Sequence, residues 1–250
     1  MKNEDKWHPS KFVYRRGRLM ASRDVAEVNA SSRLAADLVA EWYNETLRQH
    51  AKGRLLDLGC GKAPLYHAYR EFVSDIICVD WANSLHKNEH LDFECDLSEP
   101  LPFANGEFDT VILSDVLEHL PEPGHLWKEM ARVLAPGGKI LLNVPYFYWL
   151  HERPHDYYRY SEFALRRFVE QSSLRVISLR PIGGSPEIIA DIFAKHFQFV
   201  PVIGSGLAGL VQYCTKLFIM TPIGKRLSAK TSEVFPFGYF LIAGKPYANG

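Results

Sequence analysis

The chain of 250 residues carries 29 Lys and Arg against 29 Asp and Glu, so it is formally neutral, and 47% of it is hydrophobic. That composition supplies apolar surface for one large domain, or one domain with an insertion, and excludes wholesale disorder. Neutrality removes the usual electrostatic footprint of a nucleic-acid binder, so no nucleic-acid partner is expected.

Residues 1–50 read as a basic arm followed by a helix. Within the first 23 residues Lys2, Lys6, Lys11, Arg15, Arg16, Arg18 and Arg23 face only Glu4 and Asp5. Such an arm suits a solvated surface, a cover over an anionic ligand or a membrane contact. No apolar run follows the charged start, so no secretory signal is expected. Cys60, Cys78, Cys95 and Cys214 form no CxxC pair and read as free thiols of a cytoplasmic protein.

Over 51–184 short β-rich runs alternate with helical stretches, the pattern of an α/β domain with a mainly parallel sheet. Strands are predicted at 54–58, 75–80, 91–95, 108–114, 139–144 and 174–180, with a seventh at 239–244. Their apolar runs are nearly continuous, as in strands covered on both faces. A helix with a stripe of Leu126, Met130, Val133 and Leu134 is stopped by Pro136, Gly137 and Gly138. Another runs from an N-cap at Ser161 to about Gln171.

The stretch 185–235 breaks the alternation and reads as an apolar helical insertion, leaving 236–250 as the final strand and tail. From Phe197 to Gly224 the only charge is Lys216. Leu207, Leu210, Val211, Cys214, Leu217 and Phe218 form one stripe, with Gln212 and Lys216 opposite. That one-sidedness and three glycines disfavour a bilayer span. Three readings stay open: a cap packed on the domain, an interface in a homodimer, and a peripheral membrane contact through 197–224.

The run LLDLGCGKAPL at 55–65 ends a strand at Asp57 and turns through Gly59 and Gly61, where the backbone can approach a ligand at the carboxyl edge of the sheet. A helix is expected from about Ala63. A dinucleotide fingerprint would need glycine at 64, where Pro64 stands, and a carboxylate two residues before the first glycine suits a cationic ligand better than a diphosphate. Asp80 and Asp96 end the next two strands, placed to take ribose hydroxyls and an exocyclic adenine amine.

With IICVD, CDLSEPLPFANGEFDTVILSDVLEHL at 95–120 and LWKEMARVLAPGGKILLNVP at 126–145, the chain resembles the class I S-adenosylmethionine-dependent methyltransferases of small-molecule type over about 55–181. The family's third glycine is replaced by Ala63. The resemblance implies a Rossmann-like fold: a seven-stranded, mostly parallel sheet with helices on both faces, its last strand antiparallel and preceded by the helical insertion. It also implies that S-adenosylmethionine is the cofactor. Asp57, Gly59, Cys60 and Gly61 would hold its methionine end, Asp80 and Trp81 the ribose region, Asp96 and Leu97 the adenine, with Ser114 beneath.

HERPH at 151–155 matches the HExxH zinc pattern literally. Pro154 opposes the helix that pattern requires, and no third ligand follows at the usual spacing, so no metal is expected. Extended to HERPHDYYRYS, the segment reads as an acceptor-binding loop, similar to those of methyltransferases in sugar and polysaccharide pathways. A hydroxyl acceptor needs a proton removed. His155 and His151 are the candidate bases, with Asp156 as orienting partner and His119, in the EHL triplet, as the alternative; a brace between Asp156 and Arg159 is a further reading. The expected function is methyl transfer to an oxygen, or less readily a nitrogen, of a small-molecule, sugar or lipid-linked acceptor. The alternative is a non-catalytic subunit of the same fold that activates a partner.

Overall fold

The computed structural model describes residues 1–82 and 89–247. A sheet of seven strands lies at the centre: β3 (Arg54–Leu58), β4 (Asp75–Asp80), β5 (Phe93–Glu94), β6 (Phe108–Ser114), β7 (Leu134–Pro145), β8 (Arg175–Ile182) and β9 (Gly238–Gly244). Their spatial order is β5-β4-β3-β6-β7-β9-β8. The pairs up to β6–β7 are parallel, and β9 runs antiparallel to both β7 and β8. The chain thus has the Rossmann-like sheet expected of it, with the antiparallel last strand inserted between its neighbours.

Alternate strand residues feed two cores, because successive side chains leave a strand on opposite faces. Leu56, Val111 and Leu142 pack under α3 (Pro123–Val133) and α4 (Glu162–Gln171), where Trp127, Met130 and Leu165 are fully buried. Leu55, Ile112 and Leu141 face the other way, against α1 (Arg33–His50) and α2 (Tyr66–Tyr69). Ser161 caps α4 as its type suggests, its Oγ accepting from Ala164 N at 3.4 Å.

Several boundaries differ from the sequence reading, each for a local reason. Ala63 adopts φ 48° instead of starting a helix, and its carbonyl accepts from Trp7 Nε1 at 3.0 Å. Only four residues of α2 follow. At the sheet edge β5 shrinks to two residues, because the Asp92 carboxylate takes Cys78 N at 2.8 Å and interrupts the ladder. Helix α3 stops at Val133, and Leu134 already belongs to β7, paired with Phe108.

The arm is folded onto the domain, while Lys2, Lys6, Arg15, Arg16 and Arg18 stay exposed to solvent. Residues Phe12–Arg15 (β1) and Arg18–Ala21 (β2) form a hairpin that packs on α1 through Phe12, Leu19 and Ala21. Before it, Met1 N donates to Ile76 O at 2.7 Å and Trp7 packs against Tyr66 at 5.0 Å with the rings tilted.

Residues 185–231 form α5 (Ser185–Phe197), α6 (Gly204–Met220) and α7 (Pro222–Thr231). Helix α6 seats on the domain in the opposite sense to its stripe. Gly204, Ala208 and Gln212 are its buried residues, while Leu210, Tyr213, Leu217, Phe218 and Met220 are exposed. Gln212 Oε1 accepts from Leu34 N at 2.5 Å, its Nε2 donates to Ser31 O at 2.8 Å, and Lys216 reaches Asp37 Oδ2 at 2.6 Å. Polar side chains thus satisfy the open start of α1, and the small residues permit the close approach. No helix among the described residues is long and apolar enough to cross a membrane.

Candidate active site

The carboxyl ends of β3, β4 and β6 converge on the turn after Leu58. Gly59 N and Cys60 N both donate to Val79 O, at 2.8 and 3.1 Å, which folds the turn across the end of β4. Gly61 N donates to Asp80 Oδ2 at 2.8 Å, while Asp80 Oδ1 accepts from Trp81 N at 2.7 Å. Gly59 and Gly61 have φ of 66° and 51°, and a Cβ on Gly59 would stand 2.5 Å from Val116 Cγ2. Glycine is therefore required at 59 for packing as well as for backbone shape.

Asp57 is buried at 3% exposure, its Oδ2 accepting from Tyr69 OH at 2.9 Å. Burial drives its carboxyl up to about 7, against the lowering effect of that hydrogen bond and with Asp80 adding repulsion. The ionised form of such a group is stabilised by a positive charge. Asp96 sits on the exposed side, and its Oδ1 accepts from Ser98 N at 2.9 Å. Leu97 is buried in the core beneath. Ser114 ends β6 in register with Asn143, and Asn143 Oδ1 accepts from Tyr43 OH at 2.9 Å.

Beyond Ser114 the backbone turns at Asp115, with φ 52°, into a short 3-10 helix over Leu117–His119. Glu118 is fully buried and neither carboxylate oxygen has a hydrogen-bond partner. Burial first, and Asp115 second, push its carboxyl well above the usual range. The loop at 151–160 folds over this turn: Tyr157 N donates to Glu118 O at 2.9 Å and Tyr160 OH to Leu117 O at 3.0 Å.

The loop is not helical, and the Arg153–Pro154 peptide is cis, so His151 and His155 do not share a helical face. His151 belongs with His119, their rings 4.7 Å apart. His155 instead meets Trp81 edge to face at 5.1 Å, bringing the loop beside the residue that follows Asp80. Asp156 orients His151: its Oδ2 accepts from His151 N at 2.9 Å and lies 3.3 Å from Nδ1. It also pairs with Arg159 through bonds of 2.6 and 2.8 Å, which is the brace. Burial opposes ionisation of Asp156, but the Arg159 bonds and the His151 N–H outweigh it and hold the carboxyl at about 2. Burial, and then His119, lower the pKa of His151. From the insertion, Lys195 lies 3.7 Å from the centre of the Tyr148 ring, which in turn meets His151 at 5.2 Å.

Some contributors escaped the sequence reading. Lys11 and Trp7 reach the site from the arm, where only their charge or bulk was visible, and Tyr69 was one aromatic among many. Glu118 carried a signal in the EHL triplet, but its burial is decided by the loop that covers it.

A Rossmann-like sheet whose strand ends carry a glycine turn and buried acids defines a nucleoside-cofactor domain of the methyltransferase type. Residues 56–142 match the methyltransferase domain family. A ubiquinone biosynthesis O-methyltransferase of Xanthomonas euvesicatoria pv. vesicatoria is 31% identical over 112 residues, covering 41% of this chain and 47% of that protein. The chain thus spans about half the length of the curated relatives it matches. Among solved structures, the complex between the Haloferax volcanii Trm112 methyltransferase activator and a methyltransferase aligns with a TM-score of 0.56 and 19% identity, over 88% of this chain and 95% of that one. The [4+2]-cyclase SpnF aligns with a TM-score of 0.55 and 17% identity, over 86% of this chain and 83% of that one. Residues 56–142 thus carry a methyltransferase domain, and the sheet around them has the fold of the class I S-adenosylmethionine-dependent methyltransferases. The likeness to a cyclase illustrates that this fold hosts other chemistry.

Proposed function

We propose that the chain transfers a methyl group from S-adenosylmethionine to an oxygen of a small acceptor carrying an apolar portion, such as a lipid-linked intermediate. The observation that carries this reading is the buried Asp57 at the glycine turn, whose carboxylate gains most from a cationic ligand. The cofactor supplies an electrophilic methyl group when bound. Asp57 and the turn amides would hold its amino acid end, and Asp80 its ribose. The loop at 151–160 would exclude water and align the acceptor. His151, oriented by Asp156, is the base assigned to the acceptor hydroxyl, since a lowered pKa keeps the imidazole neutral at physiological pH. The similarity to a ubiquinone biosynthesis O-methyltransferase supports oxygen as the methylated atom. Calorimetric titration with S-adenosylhomocysteine is the test: tight binding lost in Asp80→Ala supports the site, and undiminished binding overturns it. Cofactor binding without transfer to any phenolic or hydroxylated acceptor would favour the non-catalytic alternative.

We also propose that α6 and α7 rest on an anionic membrane surface. Leu210, Tyr213, Leu217, Met220, Ile223 and Leu227 are exposed. Between Asp191 and Glu233 the chain holds Lys195, Lys216, Lys225, Arg226 and Lys230 and no acidic residue. Lys195 and Lys216 are paired with Asp191 and Asp37, which leaves an outward apolar stripe beside Lys225, Arg226 and Lys230, and that arrangement suits lipid better than a neutral protein face. Flotation with phosphatidylcholine vesicles, with and without phosphatidylglycerol, should show binding only with the anionic lipid. A protein that stays unbound and elutes as a dimer would overturn the proposal in favour of an interface between copies.

A further inference from the structure

Glu118, His119 and His151 each offer one ligand atom, and the three atoms lie within 4.8 Å of one another. Glu118 Oε1 is 3.8 Å from His119 Nε2 and 3.9 Å from His151 Nε2. These separations exceed a hydrogen bond, yet they approach the roughly 3.4 Å edge of a tetrahedron with metal–ligand bonds of about 2.1 Å.

The protonation pattern makes the arrangement specific. His119 Nδ1 is 2.6 Å from the carbonyl oxygen of His155; a carbonyl can only accept, so Nδ1 carries the proton and the neutral ring presents a lone pair at Nε2. His151 Nδ1 makes no hydrogen bond, but the Asp156 carboxylate 3.3 Å away favours a proton there by its charge, leaving Nε2 as the lone pair. Two imidazole lone pairs and a carboxylate therefore point at one small volume. Glu118 is 0% exposed with neither oxygen in a side-chain hydrogen bond, and His119 Nε2, which also lies 3.8 Å from Glu152 Oε2, is buried without a hydrogen-bond partner. Burying such groups face to face is unfavourable unless a cation joins them. Rings that present one nitrogen while a backbone carbonyl or a carboxylate takes the other are how protein metal sites hold their histidines.

We infer that Glu118, His119 and His151 form a binding site for one divalent first-row transition-metal ion. Two nitrogens and one oxygen suit zinc, cobalt or manganese and not magnesium, which prefers oxygen alone. Three protein ligands leave a coordination position open, as in sites where an ion meets a water or a substrate oxygen. This set is not the HExxH pattern: only His151 comes from that motif, and its partners lie more than 30 residues earlier in the chain. The binding site stands without the methyl-transfer reading; with an ion on Nε2, His151 could not also serve as the base assigned above, and any role for the ion in activating an acceptor hydroxyl in its place rests on that reading.

The experiment is titration of the chelator-treated full chain with Co(II), followed in the visible. One equivalent should bind with the absorption of a low-coordinate cobalt site and be displaced by Zn(II). Glu118→Gln and His151→Asn should each weaken binding at least tenfold. If Glu118→Gln fails to fold, His151→Asn decides, because that side chain is 22% exposed on a loop. Absence of stoichiometric Co(II) binding, or a spectrum unchanged by His151→Asn, would overturn the site and leave a proton shared among the three groups. S-adenosylhomocysteine binding to the metal-free protein is measured in parallel, so failure of the metal site and failure of the cofactor site give different results.

Discussion

Lys11 Nζ lies 2.7 Å from Asp115 Oδ2, joining the N-terminal arm to the end of β6 across 104 positions of sequence. Asp115 also accepts from Asn143 Nδ2 at 2.6 Å through its other oxygen, so the arm is tied to the residue where the chain turns toward Glu118 and His119. The pair is partly exposed, and such pairs contribute only about 0–1 kcal/mol. Lys11→Met should leave the melting temperature almost unchanged but expose the first 20 residues to trypsin. An arm as resistant as that of the native protein would show that Trp7 and the β1–β2 hairpin hold it without the pair.

Asp57 predicts a pH dependence of cofactor binding. An ordinary carboxyl titrates near 3.8, and this one is raised to about 7. A raised acid binds protons in the native state that the unfolded state releases, so native stability falls as pH rises from about 4 to 7. A cationic ligand favours the ionised form, so binding should release a proton below pH 7 and weaken as pH falls. Calorimetry of S-adenosylhomocysteine binding in buffers of different ionisation enthalpy measures that proton. Asp57→Asn should abolish it.

Asp156 has the opposite sign. Its carboxyl is lowered to about 2 from 3.8, so the stability it contributes is present above pH 4 and is lost as pH falls toward 2. Asp156→Asn should cost about 2 kcal/mol at pH 7 through the lost Arg159 bonds. Urea midpoints of the two proteins should converge between pH 4 and pH 2. Methyl transfer should fall as well, because His151 loses its orienting partner.

Gly59→Ala should destabilise the protein by about 2–3 kcal/mol, combining a side chain at φ 66° with a Cβ placed 2.5 Å from Val116. Adding Val116→Ala should recover the packing part and leave about 1 kcal/mol from the backbone. Denaturant melts of the single and double variants separate the two contributions.

The two sides of α6 should behave oppositely. Gln212→Ala leaves Leu34 N and Ser31 O buried without partners and should cost about 1–3 kcal/mol. Leu217→Ser, on the exposed stripe, should change stability by less than about 0.5 kcal/mol yet reduce vesicle binding. Equal losses of stability would mean that the stripe packs against the protein in solution.

Much of the cofactor half was legible because it is local. The run 55–65 contains its strand, its turn and the carboxylate at position 57, and the apolar runs of the β-strands show themselves by composition alone. Those features depend on neighbours a few residues apart, the range over which backbone geometry and side-chain periodicity operate. Helix α6 marks where that logic stops. Its stripe was readable, but which face meets the domain depended on the open Leu34 N–H at the start of α1 and on the Asp37 carboxylate, to which Gln212 and Lys216 answer in turn. The acceptor side follows the same rule. Composition made His119, His151 and Asp156 candidates. Only tertiary structure set Asp156 on His151, turned His155 toward Trp81 and buried Glu118 among the imidazoles. Loop closure over a buried polar group is settled by partners from distant segments, and no spacing within one segment encodes them.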